Sequence, residues 1–305
     1  MKLCALLLAY ALASPAATYF LTISGLGGEP DYDQRFKMWA LDIDSSLKKA
    51  GDGNVTTAIA PNREQIRARF QALAGTVKPD DALVVMLIGH GTYDGVDYKF
   101  NIPGPDITAV ELAALLDRVP AARQCVVVMT SSSGGSIPFL RRPNRIVITA
   151  TRTDKEATVF ARYWAEALRD PAADTDKNDA VSALEAFRYT QRKVTEYFDS
   201  AKRLATEHSL LEDTGKGDGE RNPSPENGEG RLAAAFTLVR LGANAGAAHD
   251  PAKRALLAKK EELEQAIDQL KYEKAGMDAA DYRSQLTHLL LELAKAQEAL
   301  DAPPK

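Results

Sequence analysis

Residues 82–91 read ALVVMLIGHG, and residues 124–135 read QCVVVMTSSSGG. Each is an apolar run without polar alternation that closes on glycine or serine, the pattern of a strand covered on both faces rather than one with a wet side. Three more runs of the same kind flank them, so strands are expected at Tyr19–Ser24, Asn54–Ala60, Ala82–Gly89, Gln124–Thr130 and Arg145–Thr151. Amphipathic stretches at Asp33–Ala50, Arg63–Leu73, Thr108–Val119 and Glu156–Leu168 lie between or after them, long enough for the right-handed crossovers that parallel strands require. The segment Arg231–Leu241, with Phe236, Leu238 and Val239, is expected to return as a sixth strand. The alternation of strand and helix specifies an α/β sandwich with a mostly parallel six-stranded sheet.

Composition sets outer bounds on what such a fold would do. The 305 residues carry 38 Lys+Arg against 42 Asp+Glu, a net charge of −4, so there is no basic field to hold a phosphate backbone and no nucleic-acid partner is expected. Lys2 precedes an apolar stretch from Leu3 to Leu12 that ends in small residues, through Ala13 to Pro15-Ala16-Ala17. This is the layout of a secretory signal peptide over 1–17, too short to span a bilayer, and its removal would leave a secreted or periplasmic chain with no membrane contact. A buried first strand running into Thr18–Ile23 is the alternative reading of the same residues. After cleavage Cys125 is the remaining cysteine, so an internal disulfide is ruled out.

Beyond residue 150 the pattern changes. A helix is expected from about Val181 to Leu211, followed by EDTGKGDGERNPSPENGEG at 212–230. That stretch is rich in acids, Gly and Pro, and is expected to be an exposed flexible loop. The α/β unit therefore spans 18–245. From 250 to 302 the composition turns to Ala, Leu, Lys and Glu. Leu256, Leu263 and Leu270 recur at sevens, and Tyr282, Leu286, Leu289, Leu293, Ala296 and Leu300 alternate fours and threes, with Gly276 and Asp278 between the two runs. An antiparallel coiled-coil helical hairpin is expected, either packed on its own domain or serving a coiled-coil partner or self-association.

In open α/β sheets, ligands approach the carboxyl ends of the strands. Two such ends carry reactive side chains: Ile88-Gly89-His90-Gly91 and Met129-Thr130-Ser131-Ser132-Ser133-Gly134-Gly135. Glycines beside His90 leave its ring open to a substrate, and a neighbouring strand would bring the serine loop alongside it as a nucleophile–base pair. With these parts in this order, from about Thr18 to Leu241, the chain resembles the caspase–legumain superfamily of cysteine peptidases (clan CD, peptidase C13-like). The resemblance implies a caspase-like three-layer sandwich, a catalytic role for His90, and a nucleophile position occupied by Ser131 in place of Cys. Met129 stands where legumain-like members carry an acid lining the specificity pocket, and Asp33-Gln34 stands near the place of a basic pair, so legumain-type asparagine specificity does not carry over.

A thiol is partly ionised by a nearby imidazole whereas a serine hydroxyl is not, so the exchange weakens the nucleophile unless a third residue and an oxyanion hole compensate. Two functions follow. One is a pseudopeptidase that binds peptide or protein, using Gly91 and the backbone amides of Gly134 and Gly135. The other is an active Ser-His hydrolase using Ser131 and His90 on basic peptides, which Glu29, Asp31 and Asp33 would favour. An unrelated doubly wound binding domain is a third reading, to be decided by strand order.

A second chemical signal reads DTDKNDAVSALE at 174–185. Asp174, Asp176 and Asn178 fall at positions 1, 3 and 5 of a calcium loop, the Ala180 carbonyl at 7 and Glu185 at 12. Asp179 replaces the usual turn glycine. Ca2+ is the cofactor this spacing suggests, and a solvated loop capping the next helix is the alternative.

Overall fold

The computed structural model describes residues 16–51, 53–153, 159–204 and 207–302. In chain order the elements are β1 (Thr18–Ser24), α1 (Pro30–Ala50), β2 (Gly53–Ile59), α2 (Arg63–Thr76), β3 (Ala82–Gly89), β4 (Gly91–Tyr93), β5 (Tyr98–Phe100), β6 (Ile107–Thr108), α3 (Ala109–Asp117), β7 (Arg123–Thr130), α4 (Ile137–Leu140) and β8 (Arg145–Thr149). They continue with α5 (Phe160–Ala167), β9 (Ala180–Ser182), α6 (Ala183–Ser200), β10 (Leu210–Glu212), α7 (Arg231–Ala234), β11 (Thr237–Arg240), α8 (Gly242–His249), α9 (Pro251–Glu273) and α10 (Ala279–Asp301). The signal segment expected at 1–17 lies outside the described residues apart from Ala16 and Ala17, as does the start of the helix expected from Glu156.

One six-stranded sheet in the order β10-β8-β7-β3-β1-β2 organises the molecule. Five strands are parallel and β10 runs antiparallel against β8. The central strand β3 is buried along its whole length, and its side chains divide by parity. Val84, Met86 and Ile88 join the core under α1, α5 and α6, while Leu83, Val85 and Leu87 join the core under α2 and α3. Trp164, Phe160 and Phe187 fill the first layer, each contributing about 1.5–3 kcal/mol by burial. The result is a three-layer α/β sandwich.

Helix boundaries follow local chemistry. Asn62 and Gln65 form a reciprocal capping box on α2, Ser182 and Glu185 do the same on α6, and Gly51 closes α1 with φ of 81°.

Two expectations are corrected. Residues 231–241 do not complete the main sheet: they form α7 and then β11, which pairs antiparallel with β9 in a separate two-stranded sheet. The sixth strand is β10, which straddles the expected end of a long helix at Leu211; that helix instead stops at Ser200. The acidic segment that follows is anchored at its ends. Glu212 is wholly buried, its Oε1 accepting N–H bonds from Thr214, Lys216 and Gly217, and the carboxylate of Asp213 accepts from Gly230 and Ala233.

The C-terminal helices pack as an antiparallel pair, with Lys253 Nζ at the start of α9 donating to the Leu300 carbonyl at the end of α10 (2.6 Å). Helix α9 also rests on the α/β unit. Arg240 pairs with Glu261 at 2.6 Å, Gln265 donates to the Ala235 carbonyl, and the buried Lys260 reaches the Asn178 carbonyl. Among the described residues no helix is long and apolar enough to cross a membrane.

Candidate active site

β3 and β7 are neighbours, and their last paired residues are Gly89 and Thr130. His90 and Ser131 are therefore the first residues beyond the ladder on adjacent parallel strands, delivered at the same level of the sheet. Both line one cavity of about 540 Å³, together with Gly91, Thr92, Tyr93, Asp94, Asp97, Lys99 and Asn101. The far wall is the antiparallel β4–β5 hairpin that β3 leads into through His90. Sequence reasoning passed over this hairpin because its strands are only three residues long.

His90 is held from the side of α1. Its Nε2 lies 3.1 Å from the Gly27 carbonyl oxygen, which can only accept, so Nε2 is the donor. Tyr32 and Phe36 meet the ring edge-on, with centroids 4.8 and 5.1 Å away. None of these three partners was identified from sequence. The glycine pair at 27–28 and the aromatic spacing at 32 and 36, one helical turn apart, were the available signals.

Ser131 faces the residue after the histidine. Its Oγ accepts the Gly91 N–H at 3.1 Å and donates to the Gly91 carbonyl at 3.1 Å. The hydroxyl proton is thus committed to a backbone oxygen. Beneath it, Thr130 Oγ1 bonds the Ser131 carbonyl and lies 2.6 Å from the hydroxyl of the buried Tyr98. Ser132 adopts φ of 52° without being glycine, a strained backbone at the turn that follows Ser131.

The glycines expected to contact substrate have other duties here. The Gly134 amide donates to the Arg152 carbonyl and the Gly135 amide to the Ser132 carbonyl, so neither points into the cavity as an oxyanion donor. A Cβ on Gly91 would come within 2.6 Å of the Ser131 carbonyl oxygen, and one on Gly135 within 2.6 Å of the Tyr93 ring. On the cavity rim, the N–H groups of Asp97 and Val96 hold the Asp94 carboxyl below the usual carboxylate range.

Residues 35–216 match the Peptidase C13 family, which is more than half of the chain. This protein belongs to the peptidase C13 family. No curated protein matches it. Among solved structures, the C13 family member is similar to caspase-1 from Spodoptera frugiperda at 15% identity and a TM-score of 0.49, covering 65% of this chain and 87% of that one. It is also similar to the Drosophila initiator caspase Dronc at 11% identity and a TM-score of 0.48, covering 67% of this chain and 81% of that one.

The second expected site in this C13 family member is the loop from Asp174 to Glu185. Carboxylate oxygens of Asp174, Asp176 and Glu185 lie within 4.8 Å of one another. The Asp174 carboxylate accepts the N–H groups of Asn178 and Asp179, and Lys177 and Asp179 both take φ of 63°. The loop thus adopts a left-handed turn at the position where glycine was missed. Glu185 is heavily used. Its Oε1 accepts from Thr175 N and Oγ1, and its Oε2 from Ser182 N and Oγ. The Asn178 side-chain oxygen is buried without a protein partner, whereas its main-chain carbonyl is bonded by Asn244 and Lys260. Ala180 lies in β9, paired with Arg240. Desolvation and the charge of Glu185 push the Asp176 carboxyl up to about 7.

Complete burial pushes the Cys125 thiol far up, so it is a packed core side chain and not a nucleophile. Among the described residues no histidine joins an acidic or cysteine cluster of metal-binding geometry.

Proposed function

We propose that this C13 family member is an exported pseudopeptidase whose cleft binds a peptide or protein without cutting it. The observation that carries this reading is the pair of hydrogen bonds between Ser131 Oγ and the N–H and carbonyl of Gly91, which directs the hydroxyl proton to a carbonyl instead of to His90. A serine gains nucleophilicity only by passing that proton to a base, and it needs donors aimed at the developing oxyanion. Here the Gly134 and Gly135 amides are spent on protein carbonyls. The test is labelling of the mature chain with a fluorophosphonate and with peptide probes, beside Ser131→Ala and His90→Ala. No Ser131-dependent labelling is expected. Labelling abolished by Ser131→Ala would establish the second reading, an active Ser-His hydrolase, which the shared cavity of His90 and Ser131 favours.

Calcium at the 174–185 loop is part of the same proposal. Three crowded carboxylates and an unpartnered Asn178 oxygen support it, since a divalent cation would relieve the repulsion and use that oxygen. The ligands would be Asp174, Asp176, Asn178, the Ala180 carbonyl and Glu185.

A further inference from the structure

The geometry points to Asp33 as a positioning residue for His90, acting through the backbone at Gly27. This rests on reading His90 as the imidazole of the cleft. Asp33 Oδ1 accepts the Gly27 N–H at 2.6 Å, and the Gly27 carbonyl accepts from His90 Nε2 at 3.1 Å. The segment between β1 and α1 has little stiffness of its own, because Gly27 is followed by Gly28 at φ of 76° with open space around it. Left unpinned, the Gly27 carbonyl would swing and the histidine would lose its acceptor.

Two contacts pin it. Leu26 donates to the Asn101 carbonyl on one side, and Asp33 grips the Gly27 amide on the other. A hydrogen bond to an ionised carboxylate is among the stronger kinds and the most directional anchor available to a glycine, which offers nothing but backbone. The fit is close: a Cβ on Gly27 would lie 2.3 Å from the Asp33 nitrogen, so the loop is pressed onto the first turn of α1. Tyr32 and Phe36, which flank the imidazole, come from the same stretch of α1. The amino end of α1 thus sets both the ring's plane and, through Asp33 and Gly27, which nitrogen bears its proton.

The test reads the tautomer directly, by nitrogen and carbon NMR of the full chain labelled at histidine, with His90→Gln identifying the His90 signals. In the wild type the Nε2–H tautomer is expected to predominate. Asp33→Ala is expected to raise the Nδ1–H fraction several-fold, while Asp33→Asn, which keeps an acceptor oxygen, restores the wild-type ratio. Asp31→Ala removes the same charge one position from the helix start and is expected to leave the ratio unchanged. An unchanged ratio in Asp33→Ala, or an equal shift in Asp31→Ala, overturns the inference. Asp33 is exposed, and should Asp33→Ala nevertheless fail to fold, Asp33→Leu, close to Asp in shape but with no acceptor, leaves the Gly27 amide unbound and is read in the same way. The readout needs no turnover. A tautomer shift in Asp33→Ala alongside a cleft that stays unreactive with Cys at position 131 supports Asp33's role while removing the peptidase-derived reading of the site.

Discussion

The cleft and the acidic loop treat their polar atoms in opposite ways. At the cleft, Ser131 Oγ, His90 Nε2 and the amides of Gly91, Gly134 and Gly135 all end on protein partners, so the polar groups that chemistry would need are already occupied. In the loop, three carboxylates converge within 4.8 Å and one side-chain oxygen is buried without a partner. Satisfied groups resist being recruited to a reaction, because each bond broken must be replaced. Crowded like charges do the reverse and favour a proton or a cation. The comparison teaches that the cleft lined by His90 and Ser131 is the quieter of the two regions.

The largest expected effect breaks the quiet side. Ser131→Cys puts a polarizable, weakly hydrogen-bonding sulfur where the hydroxyl is tied to Gly91, and a thiol beside His90 ionises far more readily than a serine. Labelling by a thiol-directed peptide probe is expected to exceed that of the wild type by about 10²-fold or more, the lower end of what a positioned base supplies. Addition of His90→Ala is expected to return it to background. A Ser131→Cys chain labelled no more than the wild type would mean that His90 does not activate a group at position 131.

A smaller effect sharpens the other side. With free Ca2+ at about 100 times the dissociation constant, mass action stabilises the folded chain by about 2.7 kcal/mol. In a melting experiment this is a rise of roughly 5 °C for a chain of this size. Glu185→Gln removes the charge and keeps one of the two acceptor oxygens that Thr175 and Ser182 use, so it is expected to melt somewhat lower than the wild type and to lose the calcium-dependent rise. No rise in the wild type would reduce the loop to a helix cap.

Much of the frame was legible because its signals are local. The runs at 19–24, 82–89 and 124–130 each fell within one residue of the strand observed, since a continuous apolar run bounded by glycine or a polar turn has few other solutions. What escaped depends on distant partners. β10 is three residues long, and its place beside β8 is set by pairing with Val147–Thr149, which no periodicity announces. Glu212 and Asp213 were read as exposed because acids are seldom buried unpaired; backbone N–H groups contributed by the glycine-rich turns around them are what make burial tolerable here. At the cleft, His90 and Ser131 could be named from their positions at strand ends. The Gly27 carbonyl that accepts from the histidine could not, because the glycine pair at 27–28 marks a turn without saying which side chain its main-chain acceptor meets.

The smallest effect tests whether the loop's crowding is real in solution. The Asp176 carboxyl rises in the fold to about 7 from an ordinary 3.8. Between those two values the folded state binds more protons than the unfolded chain, so this group makes stability fall as pH increases from about 4 to 7 and level off above. Asp176 is exposed, so solvent screens much of the repulsion and the change is expected to be a degree or two in melting temperature. Asp176→Asn removes the titrating group and is expected to flatten this part of the profile relative to wild type, measured without calcium and with a chelator present. Saturating Ca2+ is expected to erase or invert the slope, because the cation binds the ionised carboxylate and protons then compete with it. Identical profiles for wild type and Asp176→Asn, with and without Ca2+, would show that the carboxylates are fully relieved by water and by the loop's own amides, and the contrast between the two regions would disappear.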